Sequence, residues 1–282
     1  MNPANETVAV TREYYNSSDA DNFYATVWGG EDIHIGLYRE PGESIYAASR
    51  RTVETMAGML PPLSASHAVL DLGSGYGGSA RYLAERFGCQ VTCLNLSEVQ
   101  NQTNRAQTAR SGLTERITVM DGSFEDLSFA APGSFDVVWS QDAILHSGQR
   151  EQVLREVDRV LKPGGQFIFT DPMQSDGCPA ELLAPVLQRI HLASLGSPGF
   201  YRRTAGALGW QEIQWLDRLP DLVQHYARVR EEVCAREAEI LKVCSGAYIE
   251  RMKAGLQHWV DAGRAGRLQW GIFVFRKPEV RS

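Results

Sequence analysis

The chain lacks the features that mark membrane proteins and nucleic-acid-binding proteins. Among its 282 residues, no apolar run approaches the roughly 20 residues that a transmembrane helix needs. The polar start, MNPANETVAV, has neither the basic region nor the apolar region of a signal peptide. A formal net charge of -6 provides no basic surface for nucleic acid or for an anionic membrane. We therefore expect a cytoplasmic protein that acts on a small molecule.

Disulfide and metal-ligand patterns are also missing. The five cysteines are odd in number and include no C-x-x-C pair, and the six histidines show no pair at the spacing of metal ligands on a helix. We expect reduced thiols in the core and no bound metal. Hydrophobic residues make up 43% of the chain, which is enough to build a large core.

A glycine-rich stretch, VLDLGSGYGG at residues 69–78, is the most informative part of the sequence. Its apolar start is typical of a strand that is buried on both faces, and Asp71 stands near the carboxyl end, where open α/β sheets place their ligands. The glycines that follow, from Gly73 and Gly75 onward, let the backbone turn tightly and approach a ligand. The G-x-G-x-x-G pattern alone leaves NAD, FAD and S-adenosylmethionine (SAM) open as cofactors.

Strand and helix patterns alternate from residue 66 to about residue 170, which predicts a parallel sheet with right-handed crossovers. We predict strands at residues 68–72, 90–96, 117–120, 135–140 and 166–170, and helices at residues 78–87, 98–111 and 151–161. Ser97 and Gln100 form a predicted capping box. Later we expect helices at residues 185–194, 200–208, 221–242 and 247–262, a short strand at 212–216, and a last strand at 268–275 on the closing edge of the sheet.

Residues 1–60 lie outside this alternation and are rich in aromatic side chains. Trp28 is followed by two glycines, and residues 33–36 contain a β-branched pair and another glycine, so the segment does not follow a helix pattern. We expect a structured loop that covers a pocket. An amphipathic segment packed on the sheet edge is the alternative.

Four motifs occur in order: VLDLGSGYGG, DGSF at residues 121–124, FDVVWSQD at 135–142 and RVLKPGG at 159–165. Together they resemble SAM-dependent methyltransferases of the seven-stranded Rossmann-like fold. The strings LNLSEVQN, WSQDAILHS, FTDPM and RIHLASLGS are similar to those of sarcosine/dimethylglycine N-methyltransferases, which make glycine betaine, and more distantly to those of phosphoethanolamine methyltransferases. The resemblance implies an α/β fold with an N-terminal lid at residues 1–60 and a methyltransferase domain at 61–282, with a helical insertion at about 219–263.

The resemblance also implies where SAM lies. Gly73 and Gly75 approach its methionyl part, and Asn95 meets the ribose in place of the acidic residue that most such enzymes carry. The amide of Asn95 can accept from one hydroxyl and donate to the other, and it makes NAD less suitable. Adenine is expected near Gly122, Ser123 and Phe124. The remaining residues that we assign to the cofactor are Tyr24, Trp28, Asp71, Leu96, Gln100 and Gln141.

For the methyl acceptor, the resemblance implies that Asp142 faces the amine and that His146 pairs with Tyr15 from the lid. These three are the predicted catalytic residues. Asp142 and His146 are four residues apart, so a helical turn would place them on one side. From the residues alone, a helix-capping Asp142 and a core His146 stay open. Arg189 is expected to bind a substrate carboxylate, unless it is an exposed helix arginine, and the other predicted substrate-binding residues are His191, Tyr201 and Tyr38.

The predicted activity is methylation of sarcosine and dimethylglycine to glycine betaine, with S-adenosylhomocysteine as the second product. The acceptor ammonium, with a pKa near about 10.4 by analogy with lysine, must lose its proton before it can attack, and His146 is the expected base. Natural-product and phosphobase methyltransferases are the alternatives on the same fold. A NAD-dependent oxidoreductase and a non-catalytic SAM-binding regulator are more remote. We expect a monomer or a weak homo-oligomer.

Overall fold

The computed structural model describes residues 8–279, except residues 10, 14, 15, 17, 29 and 191, and it does not describe the side chains of residues 18, 20, 21, 25 and 189. Three predicted site residues are affected. Tyr15 and His191 lie outside the described residues, and so does the side chain of Arg189.

A seven-stranded sheet with the order β3-β2-β1-β4-β5-β9-β7 forms the centre of the molecule. Its strands are β1 (Ala68–Leu72), β2 (Gln90–Asn95), β3 (Ile117–Asp121), β4 (Phe135–Gln141), β5 (Leu161–Thr170), β7 (Gln211–Asp217) and β9 (Gly271–Arg276). The first five strands are parallel, and β9 runs antiparallel to both β5 and β7. Two short strands, β6 (Met173–Gln174) and β8 (Leu268–Gln269), pair separately. The predicted α/β fold is confirmed.

Helices cover both faces of the sheet. They are α1 (Ser18–Val27), α2 (Ile45–Met59), α3 (Gly78–Phe87), α4 (Glu98–Arg110), α5 (Arg150–Val160), α6 (Ala184–Arg189), α7 (Pro198–Ala207), α8 (Leu219–Ala235), α9 (Glu237–Ile240) and α10 (Gly246–Arg264). Val69 packs with α2, α3 and α10 in one core, whereas its neighbour Leu70 packs with α5 and α7 in another. Both strand faces are therefore buried, as the apolar run predicts.

Several helices and strands differ from their predicted bounds or positions, because contacts between residues distant in the sequence determine them. The last predicted strand divides into β8 and β9, and β9 lies inside the sheet because its residues are apolar on both faces, whereas the exposed β7 forms the edge. The predicted helix at 221–242 breaks at Arg236 into α8 and α9. The helix predicted at 185–194 ends at Arg189. Ser97 caps α4, but the Gln100 side chain pairs with Asn95 rather than completing the capping box.

The N-terminal segment and the helices between β7 and β8 share a third core. Phe23, Trp28 and Ile45 pack there against Val229 of α8 and Met252 of α10. In the part of the chain that the structure describes, no helix combines the length and the apolar character needed to cross a membrane.

A substitution at Gly271, at the start of β9, can test how closely the antiparallel strands β7 and β9 pack. An added Cβ would lie 2.2 Å from the carbonyl oxygen of Leu216 in β7, which cannot move without breaking the ladder. We expect Gly271→Ala to lower the free energy of unfolding by about 1 to 3 kcal/mol, measured by chemical denaturation.

Gly206 in α7 supplies the control, because an added Cβ there meets nothing within 4 Å. Gly206→Ala should raise the free energy of unfolding by about 0.5 to 1 kcal/mol through helix propensity. Equal effects of the two substitutions would contradict the packing argument.

Candidate active site

The glycine turn after β1 forms the floor of the site. The amides of Gly73 and Ser74 donate to the carbonyl oxygen of Leu94, with N···O distances of 2.8 and 3.3 Å, which holds the turn against β2. Gly73 has a φ of 75°, and a Cβ there would lie 2.3 Å from the Cβ of Ala143. Glycine is therefore required at this position both by backbone conformation and by space.

A cleft of about 710 Å³, partly open to solvent, lies over this turn. Many of the predicted residues line it: Gly73, Gly75, Asn95, Leu96, Gln100, Ser123, Phe124, Gln141, Asp142 and His146. The structure thus brings the predicted cofactor end and the predicted acceptor end into one cleft.

A smaller cavity of about 310 Å³ continues from the cleft past the glycine turn and includes Asp71. Asp71 is only 3% exposed, and its Oδ2 atom has no hydrogen-bond partner among the described residues. Burial raises the pKa of Asp71 to about 7, although His34 opposes the rise, and Asp32 adds to it. An unpartnered carboxylate in this cavity can bind a cationic group of a ligand.

Asp32 reaches the same cavity from the N-terminal loop. It approaches the start of α3 so closely that a Cβ on Gly78 would lie 2.2 Å from its Oδ1 atom. Neither carboxylate oxygen receives a directed hydrogen bond from a described residue, although Arg50 Nη2 lies 2.9 Å from Oδ2. Arg50 and Arg81 also pair with Glu31, so the cations stand behind the acidic wall.

At the end of β2, the side-chain amides of Asn95 and Gln100 form the wall of the cleft. Asn95 Nδ2 donates to Gln100 Oε1 at 3.0 Å, and Gln100 Nε2 has no partner among the described residues. This pair leaves a buried donor without a partner on a residue that lines the cleft, and an amide donor is the type of group that a sugar hydroxyl can bind. Ser123 and Phe124 follow along the wall, and Gly122 lies behind them with its amide bonded to the Asn95 carbonyl oxygen.

Asp142 is the described non-glycine residue with a positive φ, at 50°. Its Oδ2 accepts from the amide of Ile35 at 2.7 Å, and its Oδ1 accepts from Trp270 Nε1 at 2.8 Å. Burial raises the pKa of Asp142, while His34 and these two donors oppose the rise. Each oxygen keeps lone-pair capacity for one more partner. Asp142 therefore does not cap a helix, and it ties the N-terminal loop and the last strands to the cleft.

His146 and Gln141 complete this end of the cleft. A 3-10 turn at Ile144–His146, rather than an α-helical turn, carries His146 from Asp142 to the cleft wall. The Gln141 Oε1 atom accepts from Trp139 Nε1 at 2.9 Å and from the Ser79 hydroxyl. In this orientation, Gln141 Nε2 is buried and has no partner among the described residues, and Gln141 lines both cavities.

Tyr201 does not line either cavity, so the structure does not bring it to the predicted substrate site. It is fully buried on Phe169, and its hydroxyl donates to Asp171 Oδ2 at 2.6 Å. The pKa of Tyr201 is raised because the side chain is buried beside this carboxylate. The neighbouring Arg202 pairs with Glu212.

Three N-terminal aromatics also lie outside the two cavities. Trp28 is 4% exposed, donates to the His34 carbonyl oxygen and packs on His225, while Tyr24 packs on Trp28. The Tyr38 hydroxyl lies 3.0 Å from His225 Nδ1, and burial raises the pKa of Tyr38. These side chains anchor the loop to α8 because apolar packing and histidine contacts satisfy them there.

Other described residues also line the two cavities, although they were not among the predicted site residues. They are Val8, Thr11, Glu31, Asp32, Ile33, His34, Ser74, Gly78, Ser79, Ser97, Glu125 and Ala143. Those near the glycine turn and DGSF could have been found from proximity to these motifs. The only indication in the sequence that Asp32 and His34 belong to the site was their place in the glycine-containing N-terminal loop.

Comparison with known proteins agrees with this geometry. Residues 70–169 match the methyltransferase domain family. The chain is 54% identical to the sarcosine/dimethylglycine N-methyltransferase of Halorhodospira halochloris, over 96% of this chain and 97% of that protein. It is 50% identical to the dimethylglycine N-methyltransferase of Parasynechococcus marenigrum, over 98% and 97%.

A crystal structure from Galdieria sulphuraria, whose protein is assigned as a sarcosine dimethylglycine methyltransferase, matches with a TM-score of 0.89 at 44% identity, covering 95% of this chain and 100% of that chain. The resemblance inferred from the motifs is thus confirmed. The chain belongs to the sarcosine/dimethylglycine N-methyltransferase family of SAM-dependent methyltransferases.

Proposed function

We propose that this protein methylates sarcosine and dimethylglycine on nitrogen and so produces glycine betaine, an osmolyte. One observation carries the proposal. The described residues that line the two cavities include five carboxylates, namely Glu31, Asp32, Asp71, Glu125 and Asp142, and no lysine or arginine. Such a lining favours cationic ligands, such as a sulfonium and an amine, and disfavours phosphate groups.

The described residues fit SAM. Asp71 and Asp32 would hold its ammonium, because Asp71 Oδ2 and Asp32 Oδ1 are buried without hydrogen-bond partners among the described residues, while Asp32 Oδ2 pairs with Arg50. Asn95 and Gln100 would contact the ribose, and Ser123 with Phe124 the adenine. When bound, SAM supplies an electrophilic methyl group that passes directly to the acceptor nitrogen, leaving S-adenosylhomocysteine.

The acceptor enters as an ammonium because the acidic wall favours its charged form. Its proton must then leave inside the site, and we assign this step to His146, which lines the same cleft as Asp142. Asp142 faces the nitrogen, where positive charge develops as the new bond to carbon forms, and its carboxylate stabilises that charge. Arg189 and His191 stay predictions for binding the acceptor carboxylate, and Tyr15 stays a predicted partner of His146. We expect a cytoplasmic monomer or weak homo-oligomer.

The first test compares acceptors. The enzyme and SAM are incubated separately with glycine, sarcosine, dimethylglycine and phosphoethanolamine, and the products are identified by mass spectrometry. We expect betaine from dimethylglycine and from sarcosine. Absence of betaine from dimethylglycine, or faster methylation of phosphoethanolamine, would refute the proposed substrate.

The second test removes the charge of Asp142. Asp142→Asn suits this purpose because asparagine tolerates the left-handed backbone, which alanine does not. We expect kcat/KM for dimethylglycine to fall by about 100-fold or more, the scale of losing one electrostatic contact to the transition state. The dissociation constant for S-adenosylhomocysteine should stay within about tenfold, because Asp142 is assigned to the acceptor.

Asp136 provides the control, because it is a half-buried carboxylate at the opposite end of the same strand, paired with Lys162 and the Ala68 amide. Asp136→Asn should change kcat/KM less than about threefold, since it is remote from the cleft. Full activity of Asp142→Asn would remove Asp142 from the mechanism.

The third test uses the titration of Asp71, whose carboxyl is neutral below its pKa of about 7. Because a bound ammonium favours the ionised form, binding releases a proton near neutral pH and tightens as the pH rises. For one such group, the dissociation constant of S-adenosylhomocysteine should fall about tenfold between about pH 6 and about pH 8. Calorimetry in two buffers with different ionisation enthalpies measures the proton release. A dependence of the same size in Asp71→Asn would show that another group titrates.

A further inference from the structure

His146 lies in a 3-10 turn whose central residue is Leu145. Both backbone polar groups of Leu145, its amide and its carbonyl oxygen, are hydrogen-bonded. The Leu145 amide donates to Asp171 Oδ1 at 2.8 Å, and its carbonyl oxygen accepts from Arg150 Nη2 at 2.8 Å. The Leu145 side chain is 4% exposed and lies in the core with Leu187 and Leu195. These contacts fix the backbone next to His146.

Asp171 anchors the first of these contacts. It lies directly after β5, it is fully buried, and Tyr201 donates to its second oxygen. Burial raises the pKa of Asp171 to about 7, while the Tyr201 hydroxyl, Arg150 and the Leu145 amide all oppose the rise. All three groups favour the carboxylate form, which accepts hydrogen bonds on both oxygens.

Arg150 connects the turn to another part of the chain. The same Nη2 atom that binds Leu145 also donates to the Ser194 carbonyl oxygen at 2.5 Å, and Nη1 lies 3.3 Å from the Ser194 hydroxyl. Ser194 lies in the segment that follows the end of α6 at Arg189, the residue predicted to bind the acceptor carboxylate. Arg150 thus joins the turn at the amine end to the segment leading from the carboxylate end.

We propose that Asp171 and Arg150 form a clamp on Leu145 that sets the position of His146 relative to the segment after Arg189, and thereby the fit of the acceptor but not of SAM. This inference rests on the proposed function. Asp171 and Arg150 are positioning residues, since they act through Leu145 and Ser194. Neither residue lines either cavity, so the asymmetry follows from their contacts: the described hydrogen bonds of Asp171 and Arg150 reach Leu145 beside His146 and Ser194 after Arg189, and none of them reaches a residue assigned to the cofactor.

The experiment compares Arg150→Met with wild type, using an acceptor that the wild type methylates. We expect the acceptor KM to rise about tenfold or more and the dissociation constant of S-adenosylhomocysteine to stay within about threefold. Arg150→Lys keeps a cationic donor and should bring the acceptor KM back to within about threefold of wild type.

Arg159, on the same helix, is the matched control because it too is half-buried and donates to two backbone carbonyls, those of Ala130 and Leu127, away from the cleft. Arg159→Met should leave both constants within about twofold, even where it lowers stability.

An unchanged acceptor KM in Arg150→Met, or an equal rise in both constants, overturns the proposed clamp.

If Arg150→Met does not fold, Tyr201→Phe tests the contact between Asp171 and Leu145 by removing the hydroxyl that holds Asp171. We expect an acceptor KM about threefold or more above wild type with unchanged cofactor affinity, and an unchanged KM overturns the proposal. A wild type that methylates none of the amino acids would refute the proposed function instead, and S-adenosylhomocysteine binding would still report whether the variants are folded.

Discussion

The carboxylate of Asp142 joins three distant parts of the chain at one point. It accepts from the amide of Ile35 in the N-terminal loop and from the indole of Trp270 before the last strand, while its own amide donates to Thr170. A left-handed non-glycine residue costs about 1 to 3 kcal/mol unless its surroundings hold it. Here two directed hydrogen bonds hold the side chain, although burial still raises its pKa, so Asp142 ties the N-terminal loop and the segment before β9 to the end of β4 at the acceptor end of the cleft.

The acidic and basic side chains around the cleft lie on different sides. Acidic side chains face the ligand space, and the arginines that neutralise them, Arg50 and Arg81, stand on the far side of Glu31 and Asp32. Asp142 has two donors on its oxygens, whereas Asp71 keeps an unpartnered Oδ2. Asp71 therefore depends more on a cationic ligand for its ionised form than Asp142 does.

The sequence predicted the elements that local pattern determines. The bounds of β1 and α3 agree with the prediction, because a buried apolar run, a glycine turn and an amphipathic helix each leave a local signal. It could not predict that β9 lies inside the sheet, that Tyr201 points to Asp171, or that Trp28 packs on α8. Each of these depends on a partner at least 30 positions away in the sequence or on competition between apolar surfaces, and periodicity carries no information about either.

This difference separates the two halves of the candidate site. The cofactor half is built mainly from β1, its glycine turn and the ends of β2 and β3, so one stretch of chain carries most of its information. The acceptor half needs residues near positions 33–35, 142–146, 171 and 270, which only the finished fold brings together. Substitutions at Ile35 in the N-terminal loop or at Trp270 before β9 can therefore reshape the acceptor end while the glycine turn stays unchanged, whereas Asp32 in the same loop belongs to the cofactor end.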